Sequence, residues 1–170
     1  MTTPELSRPI SLSKIRPTGL DVEVRATQEE CSAVAARMGL PAIRSLVCHF
    51  RLSPEDDGVS VLARGRLHAF VTRVCVVSAE DFETLVEDEF EIRFVPAGTE
   101  RQDVEPNQPD EIPYEPDTID LGEATSEQLG LALDPYPRMD GAVVPDFEDN
   151  ENAGHFSVLS KRFGSGQTRH

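Results

Sequence analysis

The chain has 170 residues, with 38% hydrophobic residues and 16 Lys and Arg against 31 Asp and Glu, a formal net charge of −15. That is enough apolar material for one cored domain, and the acidic balance excludes broad nucleic-acid binding driven by counterion release from phosphates. The opening MTTPELSRPISLSKIRP lacks a signal-peptide apolar stretch, and no run of about 18 apolar residues exists to span a bilayer. The expectation is a cytoplasmic protein with no membrane partner.

The first periodic segment is Leu20 to Ala26, where Leu20, Val22 and Val24 alternate with polar residues as in a half-buried strand. The period then changes. Thr27 with Glu30 forms a capping pair, Cys31, Val34, Ala35 and Met38 recur at helical spacing, and Gly39 stops the helix. From Ile43 to Leu52, residues Leu46, Cys48, Phe50 and Leu52 share one strand face, and Val47, His49 and Arg51 the other. Residues 54–58, PEDDG, read as a turn. In the next strand Val59, Val61, Ala63, Leu67, Ala69 and Val71 face one way, and Ser60, Arg64, Arg66, His68 and Thr72 the other.

After a short connector at 78–81, Phe82, Thr84, Val86, Phe90, Ile92 and Phe94 alternate with Glu83, Glu87, Glu89, Glu91 and Arg93. Folding these two strands into a hairpin puts even positions of the first beside odd positions of the second, so Arg66 and His68 should lie near Glu89 and Glu91. Residues 96–117 are rich in Pro and acid and are expected to form a disordered, flexible loop. A second capping box, Asp120 to Glu123, opens a helix carrying Leu121, Ala124, Gln128, Leu129, Ala132 and Leu133, which Asp134-Pro135 ends.

These elements predict an α+β fold, a mainly antiparallel β-sheet of about four to six strands with two helices packed on it. Residues 1–140 form a single domain with its acidic loop, and 141–170 form a flexible tail. Phe156, Leu159 and Phe163 lie at helical spacing in that tail, making 155–163 a candidate docking motif.

The charge is unevenly divided. Residues 1–79 hold 10 basic against 8 acidic side chains, residues 80–123 hold 2 against 16, and residues 124–170 hold 4 against 7. RNA contact is therefore expected only locally, on the N-terminal half. Its candidate surface is the polar sheet face with His49, Arg51, Arg64, Arg66 and His68, joined by Arg44 and Arg73. Guanidinium groups there can hold phosphate bidentately, and Phe70 can stack on an unpaired base. The same arginines can equally pair with Glu83, Glu87, Glu89 and Glu91 on the next strand. The acidic segment can cover the basic face or serve as a partner site.

No GxGxxG, GxxxxGK[ST], HExxH, GxSxG or CxxC motif occurs, so neither catalysis, nor a cofactor, nor a small-molecule substrate is expected. Cys31, Cys48 and Cys75 fit neither a disulfide framework nor a zinc site and read as reduced core thiols. The alternative is a metal-dependent hydrolase or nuclease built on His49, His68 and Glu91.

Several segments together resemble one family. They are Arg73-Val74-Cys75-Val76-Val77-Ser78 followed by Phe82, the strand ending Phe94-Val95-Pro96, the acidic gap, Ile119-Asp120-Leu121-Gly122-Glu123, Glu127-Gln128-Leu129, and Leu131 to Asp134-Pro135-Tyr136-Pro137-Arg138. Over about residues 5–140 the chain is similar to the YceD family, the large ribosomal RNA subunit accumulation proteins, in a form similar to alphaproteobacterial members. The tail segment 155–159 is similar to a short C-terminal signature of that subgroup. The resemblance implies a ribosome biogenesis factor promoting synthesis, processing or accumulation of large-subunit rRNA. Its partner would be that rRNA, a precursor ribosomal particle or a basic ribosomal protein. It marks Cys75, Asp120, Leu121, Gly122, Glu127, Pro135, Pro137 and Arg138 as motif residues. Many members carry a CxxC-like pair at the strand end; here Thr72 stands in place of the first cysteine.

Overall fold

In the computed structural model, residues 3–103 and 105–141 are described. The candidate motif at 155–163 lies outside them. Among the described residues, seven strands and two α-helices form an α+β fold: β1 (Pro9–Ser11), β2 (Leu20–Arg25), α1 (Gln28–Met38), β3 (Ala42–Pro54), β4 (Val61–Val74), β5 (Asp81–Pro96), β6 (Asp110–Tyr114), β7 (Thr118–Asp120) and α2 (Leu121–Ala132). A five-stranded sheet has the order β2-β3-β4-β5-β6, and β1 pairs with β7 in a separate two-stranded sheet. All pairings are antiparallel except β5 with β6.

The period-2 pattern decides which face is buried. Leu46, Cys48, Phe50 and Leu52 on β3, and Val61, Ala63, Leu67, Ala69 and Val71 on β4, all lie in the core. Both helices cover that face: α1 against β3, and α2 against β4 and β5. Helix α1 forms as its sequence predicts. The Thr27 side chain accepts from the Glu30 N–H, the Glu30 carboxylate accepts from the Thr27 N–H, and Gly39 follows with φ 67°. Cys31, Val34 and Ala35 face inward, and all three cysteines are buried.

Gly65 sits mid-row between Phe50 on β3 and Phe90 on β5. These rings meet edge to face with centroids 5.8 Å apart, and the Phe90 ring fills the space a Cβ on Gly65 would take. The aromatic pair thus spans β4 because β4 carries no side chain at that point.

The second capping box forms only in part. Asp120 caps α2, with Oδ1 accepting from the N–H of Gly122 at 2.9 Å and of Glu123 at 3.2 Å. The Glu123 carboxylate reaches instead to Arg37 on α1, at 2.9 Å. Asp120 also accepts from the Arg8 N–H at 2.8 Å and the Ser7 hydroxyl at 2.6 Å, and the Leu121 N–H donates to the Arg8 carbonyl. A Cβ on Gly122 would come within 2.7 Å of the Leu6 carbonyl oxygen and 2.8 Å of the Arg8 nitrogen. The Asp-Leu-Gly run is therefore a clamp on residues 6–8. Arg8 extends the clamp to α1, donating to both oxygens of Glu30 at 2.7 and 2.8 Å.

Part of the Pro- and acid-rich segment is built into the sheet, where its composition predicts a loose loop. Strand β6 pairs with β5 from Ile92 to Pro96. Tyr114 is buried, and its hydroxyl donates to the Val59 carbonyl. Arg93, near the end of β5, pairs with Glu55 at 2.8 Å and approaches Glu111 at 3.8 Å, while Arg101 pairs with Glu111 at 3.1 Å. One aromatic anchor and two arginines thus order a stretch whose mean composition argues against order.

Candidate binding face

Among the described residues, the face of the sheet turned away from the helices is uncovered and charged, and its order follows from register. Two neighbouring rows cross four strands. One runs Asp21, Arg51, Arg64, Glu91; the other runs Glu23, His49, Arg66, Glu89. Acid stands at both ends of each row, and the basic or imidazole side chains stand in the middle. Each central group pairs outward: Arg51 with Asp21 at 2.7 Å, His49 with Glu23 at 3.5 Å, Arg64 with Glu91 at 2.8 Å and Arg66 with Glu89 at 3.0 Å. The expected approach of Arg66 to Glu89 is thus realised. His68 pairs with Glu87 at 3.2 Å, one row further, and Glu91 belongs to Arg64.

Between the two rows lies a trough of about 910 Å³, its floor the backbone of Val22, Phe50, Gly65 and Phe90. Side chains alternate across a strand, so the intervening row points into the core and leaves a furrow outside. The walls are well exposed: the Arg66 and Glu89 side chains are 72% and 75% accessible. Beyond His68 the face turns apolar, with Phe70 directly opposite Leu85 and both exposed. Arg44, at a bulge in β3, pairs with Glu83 at 2.9 Å.

Arg73 does not join this face. Its guanidinium donates to the Asp134 carbonyl at 2.6 Å, tying the segment after α2 to the β4–β5 hairpin. The Val76 N–H donates to the Pro137 carbonyl, and the Met139 N–H to Cys75 Sγ at 3.4 Å. These contacts place Cys75, Asp134 and Pro137 in one scaffold lock. Backbone N–H donation from Met139, with the Ser78 hydroxyl and N–H, pulls the Cys75 thiol down to about 7. Cys48, deep under α2, is pushed up to about 12 by burial. Glu127, Pro135 and Arg138 are exposed on or beyond α2.

The residues of the metal alternative are not brought together. Val47 on β3 is the partner of His68, Arg66 on β4 is that of His49, and Glu91 lies two rows from His68. Among the described residues no group of three or more His, Cys, Asp or Glu is placed to hold a metal ion. Residues 97–117, apart from the undescribed 104, make no hydrogen bond or ion pair with Arg51, Arg64 or Arg66. Within the acidic segment, Asp110–Tyr114 lies along the sheet edge as β6.

Asp21 and Glu23 also stand on the walls. Both occupy the polar phase of the β2 alternation, but their place beside the arginines follows from the pairing of β2 with β3 on the side opposite β4, which no local pattern encodes.

Among the described residues no helix is long and apolar enough to cross a membrane. No curated protein and no solved structure matches the chain significantly. A family model does match, over residues 63–161, and its description, large ribosomal RNA subunit accumulation protein YceD, connects its members with ribosome biogenesis. The match takes in β4, β5, the Cys75 lock and the Asp120 clamp, and since it covers more than half of the chain, this protein belongs to the YceD family.

Proposed function

We propose that this chain promotes accumulation of large-subunit rRNA in the cytoplasm as a non-catalytic binding protein, and that its open sheet face receives a basic ribosomal protein. The observation that carries this reading is the charge count of the face. Arg25, Arg44, Arg51, Arg64, Arg66 and Arg93, with two histidines, stand among Asp21, Glu23, Glu55, Asp81, Glu83, Glu87, Glu89, Glu91 and Glu111. A phosphate backbone would have to displace a carboxylate from each arginine and approach a molecule of net charge −15. A cationic polypeptide is drawn toward the molecule over a distance by its net charge of −15 and meets acid at both ends of the trough on contact. By retaining a basic ribosomal protein in a soluble state near nascent rRNA, such a surface would favour subunit assembly over loss of the RNA.

The test sets full-length chain against purified basic ribosomal proteins and fragments of large-subunit rRNA, at low and moderate salt. The expected result is binding to a basic protein that falls at least tenfold in Asp21→Lys with Glu89→Lys and Glu91→Lys. Binding to rRNA fragments alone, lost in Arg64→Glu with Arg66→Glu, would overturn the choice of partner and assign the face to RNA.

A further inference from the structure

Strand β5 is sixteen residues long, yet β6 covers its outer edge only from Ile92 to Pro96. Along residues 81–91 the strand is paired with β4 on one side, and no described strand pairs with the other. Exposure follows this division. None of residues 81–91 is buried, whereas Ile92, Phe94 and Val95 are. In an extended strand alternate residues aim both N–H and C=O toward the same side, so about every second residue of 81–91 presents an unmatched donor and acceptor. Eleven residues at about 3.3 Å each make an open margin of roughly 36 Å.

The other margins of the sheet are less suited to extension. Strand β6 is five residues long and contains Pro113, which has no N–H to donate. Strand β2 has six residues, and the carbonyl of its last, Arg25, already accepts from the Arg8 guanidinium.

Natural sheets protect a bare edge with charge, and the charge here is of one sign. Residues 81–91, DFETLVEDEFE, hold six carboxylates and no Lys or Arg. Two such edges from separate copies would oppose acid to acid, which disfavours self-pairing. An added strand bearing Lys or Arg would meet Glu83, Glu87, Glu89 and Glu91 on the open face and Asp88 on the other. Glu83, Glu89 and Glu91 would then each lie between an arginine of β3 or β4 and a cation of the incoming chain, and Glu87 between His68 and that chain.

We propose that the open margin of β5 at residues 81–91 takes up an extended, lysine- or arginine-rich segment of a partner polypeptide as an additional strand. Backbone pairing would supply register and the carboxylates selectivity. The inference rests on the reading that the ligand is a cationic protein, and adds how it is held.

The test uses the full chain, isotope-labelled, with two eleven-residue peptides of alternating Lys and Val. One is unmodified; the other is N-methylated at alternate residues, which removes the donors along one edge while keeping the charge. Strand addition predicts binding of the unmodified peptide, new amide-exchange protection confined to about half of residues 81–91, and at least tenfold weaker binding after methylation. Equal binding of both peptides without new protection on β5 would overturn strand addition and leave the cationic-ligand reading standing. Binding of neither would overturn both. Concentration-dependent self-association of the chain alone that protects the same amides would assign the margin to a second copy and overturn the proposal.

Discussion

Asp120 Oδ1 accepts the backbone N–H of Arg8 at 2.8 Å while capping the first turn of α2. One carboxylate therefore joins a helix start to a segment more than a hundred residues earlier in the chain. Loss of an N-cap alone costs about 1 kcal/mol, and hydrogen bonds to a charged group contribute about 1.5–3 kcal/mol. Asp120→Ala is expected to lower stability by at least about 2 kcal/mol, a fall in Tm of roughly 4–8 °C at this size. Thermal denaturation followed by circular dichroism checks it.

Gly122 makes the same clamp from the other side. Gly122→Ala forces a methyl group against the Leu6 carbonyl and the Arg8 nitrogen, both backbone atoms. The expected loss is about 1–3 kcal/mol, measured by urea denaturation. Because Gly122 and Asp120 grip the same segment, the double variant should lose less than the sum of the two single losses.

The Arg8–Glu30 pair predicts a pH dependence. The Arg8 guanidinium, opposed by desolvation and aided by the Thr27 N–H, holds the Glu30 carboxyl at about 2 against an ordinary 4.5. A depressed carboxyl contributes stability that is present above its unfolded value, near 4.5, and is lost as pH falls toward 2. Glu30→Gln should therefore be less stable than the parent at pH 7, with the gap closing between pH 4.5 and pH 2. Denaturant titrations at stepped pH provide the measurement.

Cys75 and Cys48 should separate chemically. Cys75 is 1% exposed, and the Met139 N–H together with the Ser78 donors outweighs desolvation at its thiol. Iodoacetamide labelling of Cys75 should rise through about pH 7, while Cys48, pushed up to about 12, stays unlabelled in the folded chain. Loosening the segment after α2 with Arg73→Ala, which removes the bond to the Asp134 carbonyl, should speed Cys75 labelling and move its pH midpoint upward, because the Met139 N–H does most to hold the thiol low. Peptide mass spectrometry distinguishes the sites.

The trough pairs, by contrast, should matter little to folding. Arg64 and Arg66 are 70% and 72% exposed, and exposed pairs contribute about 0.2–1 kcal/mol. Arg64→Ala and Arg66→Ala are each expected to shift stability by less than about 1 kcal/mol in urea. A larger loss would mean that these residues serve the fold and would remove them from the binding face.

Much of this architecture is legible in the residues. Alternation in β3 and in β4 from Val61 onward names their buried faces, while Val59, expected inside, is exposed and Ser60 buried because the strand begins only at Val61; parity across one hairpin places Arg66 beside Glu89, because a strand has only two faces. Thr27 with Glu30 and Asp120 with Gly122 are helix starts written in capping chemistry. The misses have a common cause. Glu123 goes to Arg37, Arg73 goes to Asp134, and Asp21 and Glu23 become trough walls through tertiary neighbours that no local pattern encodes. Strand β6 escaped because mean composition hides two anchors: Tyr114 reaching the Val59 carbonyl, and Glu111 holding Arg101. The His49, His68 and Glu91 grouping failed on register alone, since being on one face does not make residues neighbours.

The row Asp21, Arg51, Arg64, Glu91 reads acid, base, base, acid, and the row Glu23, His49, Arg66, Glu89 does so when the imidazole carries a proton. Such an arrangement has almost no net charge and no dipole along its length; it is a linear quadrupole, and its field dies away faster than that of a single ion. The distant pull on a cationic partner must then come from the surplus acid elsewhere in residues 80–123. The trough itself is felt only on contact, so attraction and discrimination reside in separate parts of the molecule, and added salt should slow the encounter more than it blurs the choice of ligand.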